Sequence, residues 1–334
     1  MDNRDVIVLG ASAGGVEALT QLCAALPADL PASLFVVQHV APSARSVLPE
    51  LLARAGPLPA VHPADGEAFR RGRVYVAPPD LHMLLMGERI LLRRGPHENR
   101  TRPAADVLFR SAAASHGGRV VGVVLTGLLD DGTAGLIAVK RCGGLSVVQD
   151  PEDAAWPGMP RSALLRDSVD HSVPLAKLAD LLGRLIAEPA GPSLPVPPEM
   201  AAEVRISEKG LAAMAQQDVT VGSPSKLGCP HCGGVLNEIE EEKAVRFRCQ
   251  VGHAYGPESL AAAQSEGLEQ ALVSAVRTHR DRLALFHRMA GIAEEKGLAH
   301  AAQRWTEAAA EAEASAELIS GALSALSVRK DPQS

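Results

Sequence analysis

Residues 10–14 read Gly-Ala-Ser-Ala-Gly, a G-x-S-x-G spacing centred on Ser12. An apolar run, Val6-Ile-Val-Leu9, leads into it, and a helix-like segment carrying Val16, Leu19, Leu22, Cys23 and Leu26 follows at once. A strand, a sharp glycine turn and a helix N-terminus would hold a serine hydroxyl at the carboxyl edge of a parallel sheet. The free N–H groups and positive dipole end of that helix suit a developing oxyanion. A serine needs a base to take its proton at neutral pH, and the base needs a carboxylate to fix its tautomer. His39 ends the run Val36-Val37-Gln38-His39, and Asp130-Asp131-Gly132 follows Leu125-Thr126-Gly127-Leu128-Leu129. Both fall at strand ends. A strand-end histidine and an Asp-Asp-Gly turn are each ordinary alone. Their shared rim with Ser12 makes them a candidate nucleophile, base and orienting acid.

The elements that must position these groups are legible in the same stretch. Apolar runs at Val6–Leu9, Leu34–Val40, Val120–Leu125 and Leu145–Val148 have the character of strands buried on both faces. Helical patterns lie near 15–26, 45–55, 103–115 and 133–142, and Leu175–Ala187 closes the unit as an amphipathic helix. Val74–Ala77, Leu84–Leu85 and Ile90–Leu92 read as shorter strands. The last two turn at Gly87-Glu88, as a hairpin inserted at a sheet edge. The alternation predicts an α/β fold, a doubly wound parallel sheet, over residues 1–187. Glu188–Pro198 holds five prolines and a glycine, which reads as a stiff linker. With a polar, partly helical stretch it fills 188–225. A small cysteine-rich unit occupies 226–256. Residues 257–330, rich in Ala, Glu and Leu and broken near Lys296-Gly297, predict a helical hairpin.

The chain has 334 residues and a net charge of −6, so no global field draws it to nucleic acid or an anionic membrane. No stretch is apolar and long enough to predict membrane insertion, and the polar start is unlike a signal peptide. A cytoplasmic location is the expectation. The five cysteines are an odd set for a disulfide framework. Three cluster as Cys229-Pro-His-Cys232 and Cys249-Gln-Val-Gly-His253, a C-x2-C and a C-x3-H separated by sixteen residues. Two close pairs with a hairpin-sized gap fit tetrahedral zinc in a zinc-ribbon-like unit. A closed set of Cys229, Cys232, Cys249 and His253 leaves no open position, so the metal would be structural, with none used in catalysis. His231 is a rival ligand. Cys23 and Cys142 fall on apolar helix faces and read as core. Acidic residues Glu238 and Glu240–Glu242 beside Lys226, Lys243, Arg246 and Arg248, with few aromatics, argue against nucleic-acid binding by this unit.

These residues also carry a resemblance. Gly10-Ala-Ser12-Ala-Gly-Gly15, Val37-Gln38-His39, Val74-Tyr-Val-Ala-Pro78 with His82-Met83, Arg102-Pro103 with Asp106-Val-Leu-Phe-Arg-Ser111, and Leu125-Thr-Gly127 with Asp131-Gly132 occur in order. In this the first 187 residues resemble the catalytic domain of the chemotaxis protein-glutamate methylesterases, the CheB-type family. The resemblance implies Ser12 as nucleophile, His39 as general base and acid, and Asp131 as its orienting partner. It implies hydrolysis of glutamate methyl esters on chemoreceptor helices, with glutamine deamidation as a second activity of many members. Since the catalytic strand starts at Asp5, it implies a member without the usual N-terminal receiver domain. The zinc-and-helix tail is similar to extensions on some such members and is expected to dock or self-associate. Ala13 stands where the family often has threonine, and Leu128-Leu129-Asp130 where it often has Met-Gly-Asn. Leucine does not take glycine's dihedrals freely. The expected substrate-binding groups are Ala13 and Leu128, beside the nucleophile and on the aspartate loop, and Arg102, whose guanidinium could anchor an acidic receptor segment.

Other readings share parts of the pattern. A dinucleotide site would need a glycine where Ser12 stands and an acid at the end of the second strand. An α/β-hydrolase places its histidine last, a role His171 could fill. A non-catalytic regulator, an esterase fold that binds a receptor or partner, would tolerate the altered loop.

Overall fold

Val6-Ile-Val-Leu9 has no polar break, so as a strand it must be covered on both faces. In the computed structural model, which describes residues 3–209, 221–241 and 244–328, β1 (Val6–Ala11) is buried along its whole length. It is followed by α1 (Gly15–Ala25), β2 (Ser33–Gln38), α2 (Leu48–Ala55), β3 (Ala60–Val61) and β4 (Arg73–Val76). A hairpin of β5 (His82–Met86) and β6 (Arg89–Arg93) comes next, then α3 (Ala105–His116), β7 (Val120–Val124), α4 (Thr133–Arg141) and β8 (Leu145–Gln149). α5 (Gly158–Arg166), β9 (His171–Val173) and α6 (Leu175–Ala187) complete this part. The seven-stranded sheet runs β3-β4-β2-β1-β7-β8-β9, with every pair parallel. Strand order reverses at β1, with β2 on one side and β7 on the other. A doubly wound sheet opens its crevice at that point.

The period-two alternation of β1 divides the core. Ile7, Leu9 and Ala11 pack with Leu19, Leu22, Leu52 and Leu182 beneath α1, α2 and α6. Val6 and Val8 pack with Phe109, Leu136, Val139 and Met159 under α3, α4 and α5. α6 reaches the first layer because Leu178, Leu182 and Leu185 recur at helical spacing and are all buried.

Three features differ from expectation. The hairpin is a separate two-stranded sheet, not an edge of the main one. It lies on α3, where the Leu85 N–H donates to Ser111 Oγ (3.1 Å) and Ser115 Oγ donates to the Leu85 carbonyl (2.8 Å). β3, α5 and β9 escaped sequence reading because two are very short and the helix has a weak apolar stripe. The proline-rich stretch is pinned rather than free. Leu194 N–H donates to the Cys142 carbonyl (3.1 Å), and Ser193 Oγ accepts from the Gly118 N–H (3.2 Å).

α7 (Pro198–Lys209) buries Met200 in the second core layer. Residues 210–220, part of the stretch read as polar and partly helical, lie outside the described residues. β10 (Ser223–Gly228), β11 (Val235–Glu241), β12 (Ala244–Cys249) and β13 (Ala254–Tyr255) form a four-stranded antiparallel sheet. α8 (Pro257–Glu295) follows, and the chain divides into two units after Leu260. The second unit holds most of α8 and α9 (Ala299–Val328). The turn between them uses Gly297 at φ 67°, and Phe286 meets Trp305 with ring centroids 5.5 Å apart. Buried Ala290, Ala293, Ala302, Ala309 and Ala312 line the inside of this unit. Among the described residues, no helix is long and apolar enough to cross a membrane.

Candidate active site

Parallel pairing sets Ala11 beside Gln38, so the next residues, Ser12 and His39, leave neighbouring strands together. The Gln38 amide links them. Its Nε2 donates to the Ser12 carbonyl (2.8 Å) and to the His39 carbonyl (3.1 Å). The His39 N–H donates to the Ala11 carbonyl (3.1 Å), and the Ser12 N–H to the Thr126 carbonyl (3.0 Å), which ties the β2 and β7 ends to the serine turn. Gly14 takes φ 72° at the start of α1, a left-handed turn that suits glycine.

Asp131 lies beyond β7 and accepts from His39 Nε2 at 2.7 Å. A carboxylate acceptor there keeps the proton on Nε2 and leaves Nδ1 as the basic nitrogen. Asp131 has further donors. Its Oδ2 accepts from the Ala105 N–H (2.6 Å), and its Oδ1 from the Asp106 N–H (3.1 Å) and Asn99 Nδ2 (2.8 Å). Ala104, at the N-cap of α3, has no capping side chain of its own. Asp131 supplies the cap from another loop, and the helix dipole favours its ionised form. Burial alone would raise its pKa. The His39, Ala105 and Asn99 contacts outweigh burial and hold the carboxyl below its ordinary value.

Two neighbouring aspartates repeat the device. Asp106 Oδ1 accepts from the Gly132 (3.0 Å) and Gly135 (2.6 Å) N–H groups at the start of α4. Burial first, then the Asp131 charge, push Asp106 up to about 8. Asp130 accepts from the Glu258 (3.0 Å) and Ser259 (3.2 Å) N–H groups and from Ser259 Oγ at the start of α8. Burial first, then Glu258, raise Asp130 to about 7.

Ser12, His39 and Asp131 are therefore gathered on one rim. Among the described residues the Ser12 hydroxyl makes no hydrogen bond, and the His39 ring bonds Asp131. Ala13 stands at the turn into α1, with its carbonyl accepting from Thr126 Oγ1 (3.0 Å). Leu128 is exposed on the aspartate loop. Leu129 beside it adopts φ 64°, the left-handed conformation expected to resist leucine. Arg102 is not drawn to the rim. Its guanidinium takes Asp80 Oδ1 (2.9 and 2.5 Å) and the Gly95 carbonyl (2.5 Å), and it holds the Asp80 carboxyl below its ordinary value. A guanidinium so neutralised is not free for a substrate carboxylate. His171 opens β9, three strands from β1. At roughly 5 Å per strand it is far outside contact with Ser12.

The structure also brings in residues that the motifs did not mark. Trp156 is 40 % exposed beside the nucleophile turn, where its ring would lie 3.2 Å from a Cβ on Gly14. Its carbonyl accepts from the Gly127 N–H (2.8 Å). Asn99 is buried at φ 50° and bridges Asp106 Oδ2 (2.7 Å) and Asp131. Its rare tolerance of positive φ is the only sequence signal it offered.

Cys229, Cys232, Cys249 and His253 converge in the antiparallel sheet unit. Cys232 and Cys249 sulfurs are 3.7 Å apart, and His253 Nδ1 is 3.8 Å from Cys229 Sγ and 3.5 Å from Cys249 Sγ. Tetrahedral zinc with ordinary bond lengths requires edges of about 3.8 Å between sulfurs and about 3.5 Å from sulfur to nitrogen. The cysteines are free of disulfides. His231 lies tilted against His253 (ring centroids 4.1 Å apart) and near His97 (5.3 Å). These three imidazoles form a second group that would compete for His253. Arg246 and Arg248, basic residues of the unit expected not to bind nucleic acid, are buried against Glu203 (2.8 and 2.9 Å). Arg248 also reaches Glu98 (2.9 Å), which pairs with Arg110 (2.7 Å).

The fold and site define a doubly wound α/β protein carrying a candidate serine, histidine and aspartate on its switch-point rim. The CheB methylesterase family model matches residues 7–182, and the chain belongs to that family. A Leptospira interrogans putative protein-glutamate methylesterase/protein-glutamine glutaminase is 36 % identical over 184 residues, 55 % of this chain and 95 % of the relative. A protein of Methanosarcina mazei named for the same two activities is 34 % identical over 191 residues, 55 % of this chain and 52 % of its own. One of Anaeromyxobacter dehalogenans is 41 % identical over 184 residues, 54 % of this chain and 51 % of its own. The chain thus spans about half the length of several curated relatives. The crystal structure of the Thermotoga maritima CheB methylesterase catalytic domain superposes with a TM-score of 0.53 at 32 % identity. It covers 56 % of this chain and 100 % of that one.

Proposed function

We propose that the chain is a serine hydrolase that demethylates glutamate methyl esters on methyl-accepting chemoreceptor helices, and also deamidates glutamines there. The observation that carries this is the His39–Asp131 hydrogen bond of 2.7 Å on the strand next to Ser12. His39 Nδ1 takes the Ser12 proton as Oγ attacks the ester carbonyl. The oxyanion forms at the N-terminus of α1, within reach of the backbone N–H groups at Ala13 and Gly14. His39 returns the proton to the leaving methoxide, and methanol departs. Water, deprotonated by the same imidazole, then clears the acyl-enzyme to a glutamate carboxylate. With glutamine the leaving group is ammonia. Trp156 and Leu128 supply apolar surface beside Ser12 for the substrate side chain.

Methanol release from a methylated receptor fragment tests the reading. Wild type should turn over and Ser12→Ala should not. Full activity in Ser12→Ala would falsify it. A non-catalytic binding role would leave both proteins silent but able to bind the fragment. The neutral-to-acidic charge and the burial of Arg246 and Arg248 favour no nucleic-acid partner, and the cytoplasm is the location that fits receptor helices as substrate.

The Cys229, Cys232, Cys249 and His253 set fits structural zinc, since the Cys232–Cys249, Cys229–His253 and Cys249–His253 separations are close to the edges of a zinc tetrahedron and protein supplies four donors. Metal analysis should return one zinc per chain. Exposed Leu268, Val273, Leu285 and Leu318 on the helical unit are the surface through which copies would associate, which sedimentation at graded concentration would read.

A further inference from the structure

We infer that the metal-binding unit is built into the esterase site, and that Asn99 is the positioning residue that joins them. This rests on the esterase reading above. Asn99 has both ends committed. Its N–H donates to the Ala254 carbonyl (2.8 Å) and its Oδ1 accepts from the Gly256 N–H (2.8 Å). Its Nδ2 donates to Asp131 Oδ1 and Asp106 Oδ2. Ala254 directly follows the metal ligand His253, and its N–H donates to the His97 carbonyl (3.2 Å). Four residues carry the connection from the cysteine cluster to the imidazole: Ala254 and Gly256, then Asn99, then Asp131.

A second strut runs in parallel. Asp130, next to Asp131, caps the start of α8 through Glu258 and Ser259. The approach is so close that a Cβ on Gly256 would run into the Asp130 carboxylate. The buried Glu98 carboxylate also joins Arg248 of the sheet unit to Arg110 of α3, and Glu203 holds Arg248 beside it. Without Asn99, Asp131 Oδ1 would keep only the Asp106 N–H as donor, and nothing would hold its spacing from Asp106, so Asp131 would shift relative to His39. The sheet unit sets where the carboxylate stands, and a small sheet with four metal ligands holds that position only when they are joined by the ion.

Full-length wild type, Asn99→Ala, Ser259→Ala and Cys232→Ser are compared, with wild type also stripped of zinc by a chelator. The readouts are the rate at which a fluorophosphonate labels Ser12, kcat and KM for methanol release, zinc content, and the downfield proton resonance of the His39 Nε2–H. Asn99→Ala should keep its zinc, label about ten- to hundredfold more slowly, and lose kcat with KM within about twofold, the scale of losing a partner behind an active-site ligand. The stripped protein and Cys232→Ser should show the same loss. In each the resonance should move or broaden. Ser259→Ala, which removes one hydroxyl, should show a smaller shift of the same sign. An unmoved resonance in Asn99→Ala and in stripped protein overturns the coupling, whatever the turnover. Absence of Ser12 labelling in wild type overturns the esterase reading instead, and the resonance still decides the coupling.

Discussion

Replacing Asp131 by Asn exposes the logic of the site most sharply. Each carboxylate oxygen faces two donors. Oδ2 faces His39 Nε2 and the Ala105 N–H, and Oδ1 faces the Asp106 N–H and Asn99 Nδ2. An amide offers one acceptor oxygen and one NH2, so either orientation sets an NH2 against two donors. With the NH2 toward His39, the imidazole can escape only by moving its proton to Nδ1. That removes the base, while the Ala105 N–H stays orphaned. With the NH2 toward α3, the Asp106 N–H and Asn99 are orphaned. One or two buried donors left unpaired cost about 1–3 kcal/mol each. The wrong tautomer costs roughly 10^4-fold in kcat by the general behaviour of such triads, about 5.5 kcal/mol of transition-state stabilisation. Methanol release and thermal unfolding are measured on the same preparations of Asp131→Asn and wild type. A folded variant within threefold of wild-type kcat would refute the role given to Asp131. A kcat loss without any fall in Tm would refute the claim that it also caps α3.

Four further outcomes follow from the same geometry. Leu129→Gly relieves a left-handed leucine, worth about 1–2 kcal/mol against about 0.5–1 for the entropy of glycine, so Tm should rise slightly in calorimetry. Arg102→Ala should lower stability by about 1–2 kcal/mol by breaking the Asp80 pairing, read as a fall in Tm. It should leave KM for receptor fragments unchanged, whereas a raised KM would restore Arg102 as an anchor. Trp156→Ala should raise KM several-fold with kcat little altered, read from saturation curves. The Glu98 carboxyl, which burial would raise but Arg110 and Arg248 pull down to about 2 from 4.5, has a depressed folded pKa. Its stabilisation is complete above pH 4.5 and is lost as pH falls through 2. Glu98→Gln should flatten the acid-induced loss of stability in that window.

How much of this was readable in advance depended on range along the chain. Ser12 and His39 announced themselves because strand, turn and helix signals lie within a few residues of each, and parallel strand ends share one rim by geometry alone. The hairpin was recognised as a hairpin, but its seat on α3 was not, because Ser111 and Ser115 carry no local sign that they bond Leu85. Arg102 looked free because its partner Asp80 lies twenty-two residues back, across the hairpin. The partners of Arg246 and Arg248, Glu98 and Glu203, come from distant segments, and nothing near the cysteine pairs announced them.

Local order therefore determined the doubly wound sheet, the serine turn, the histidine at the neighbouring strand end and the spacing of the three cysteines and the histidine that could hold a metal. These are short-range matters of periodicity, turn chemistry and pairing. Only the tertiary structure decided that Asp131 caps α3 while holding His39, that Asn99 stands between the aspartates and the cysteine unit, and that Arg102 is spent on Asp80. A buried polar group must find its partner wherever the fold brings one. That partner lies at a sequence distance no local pattern can encode.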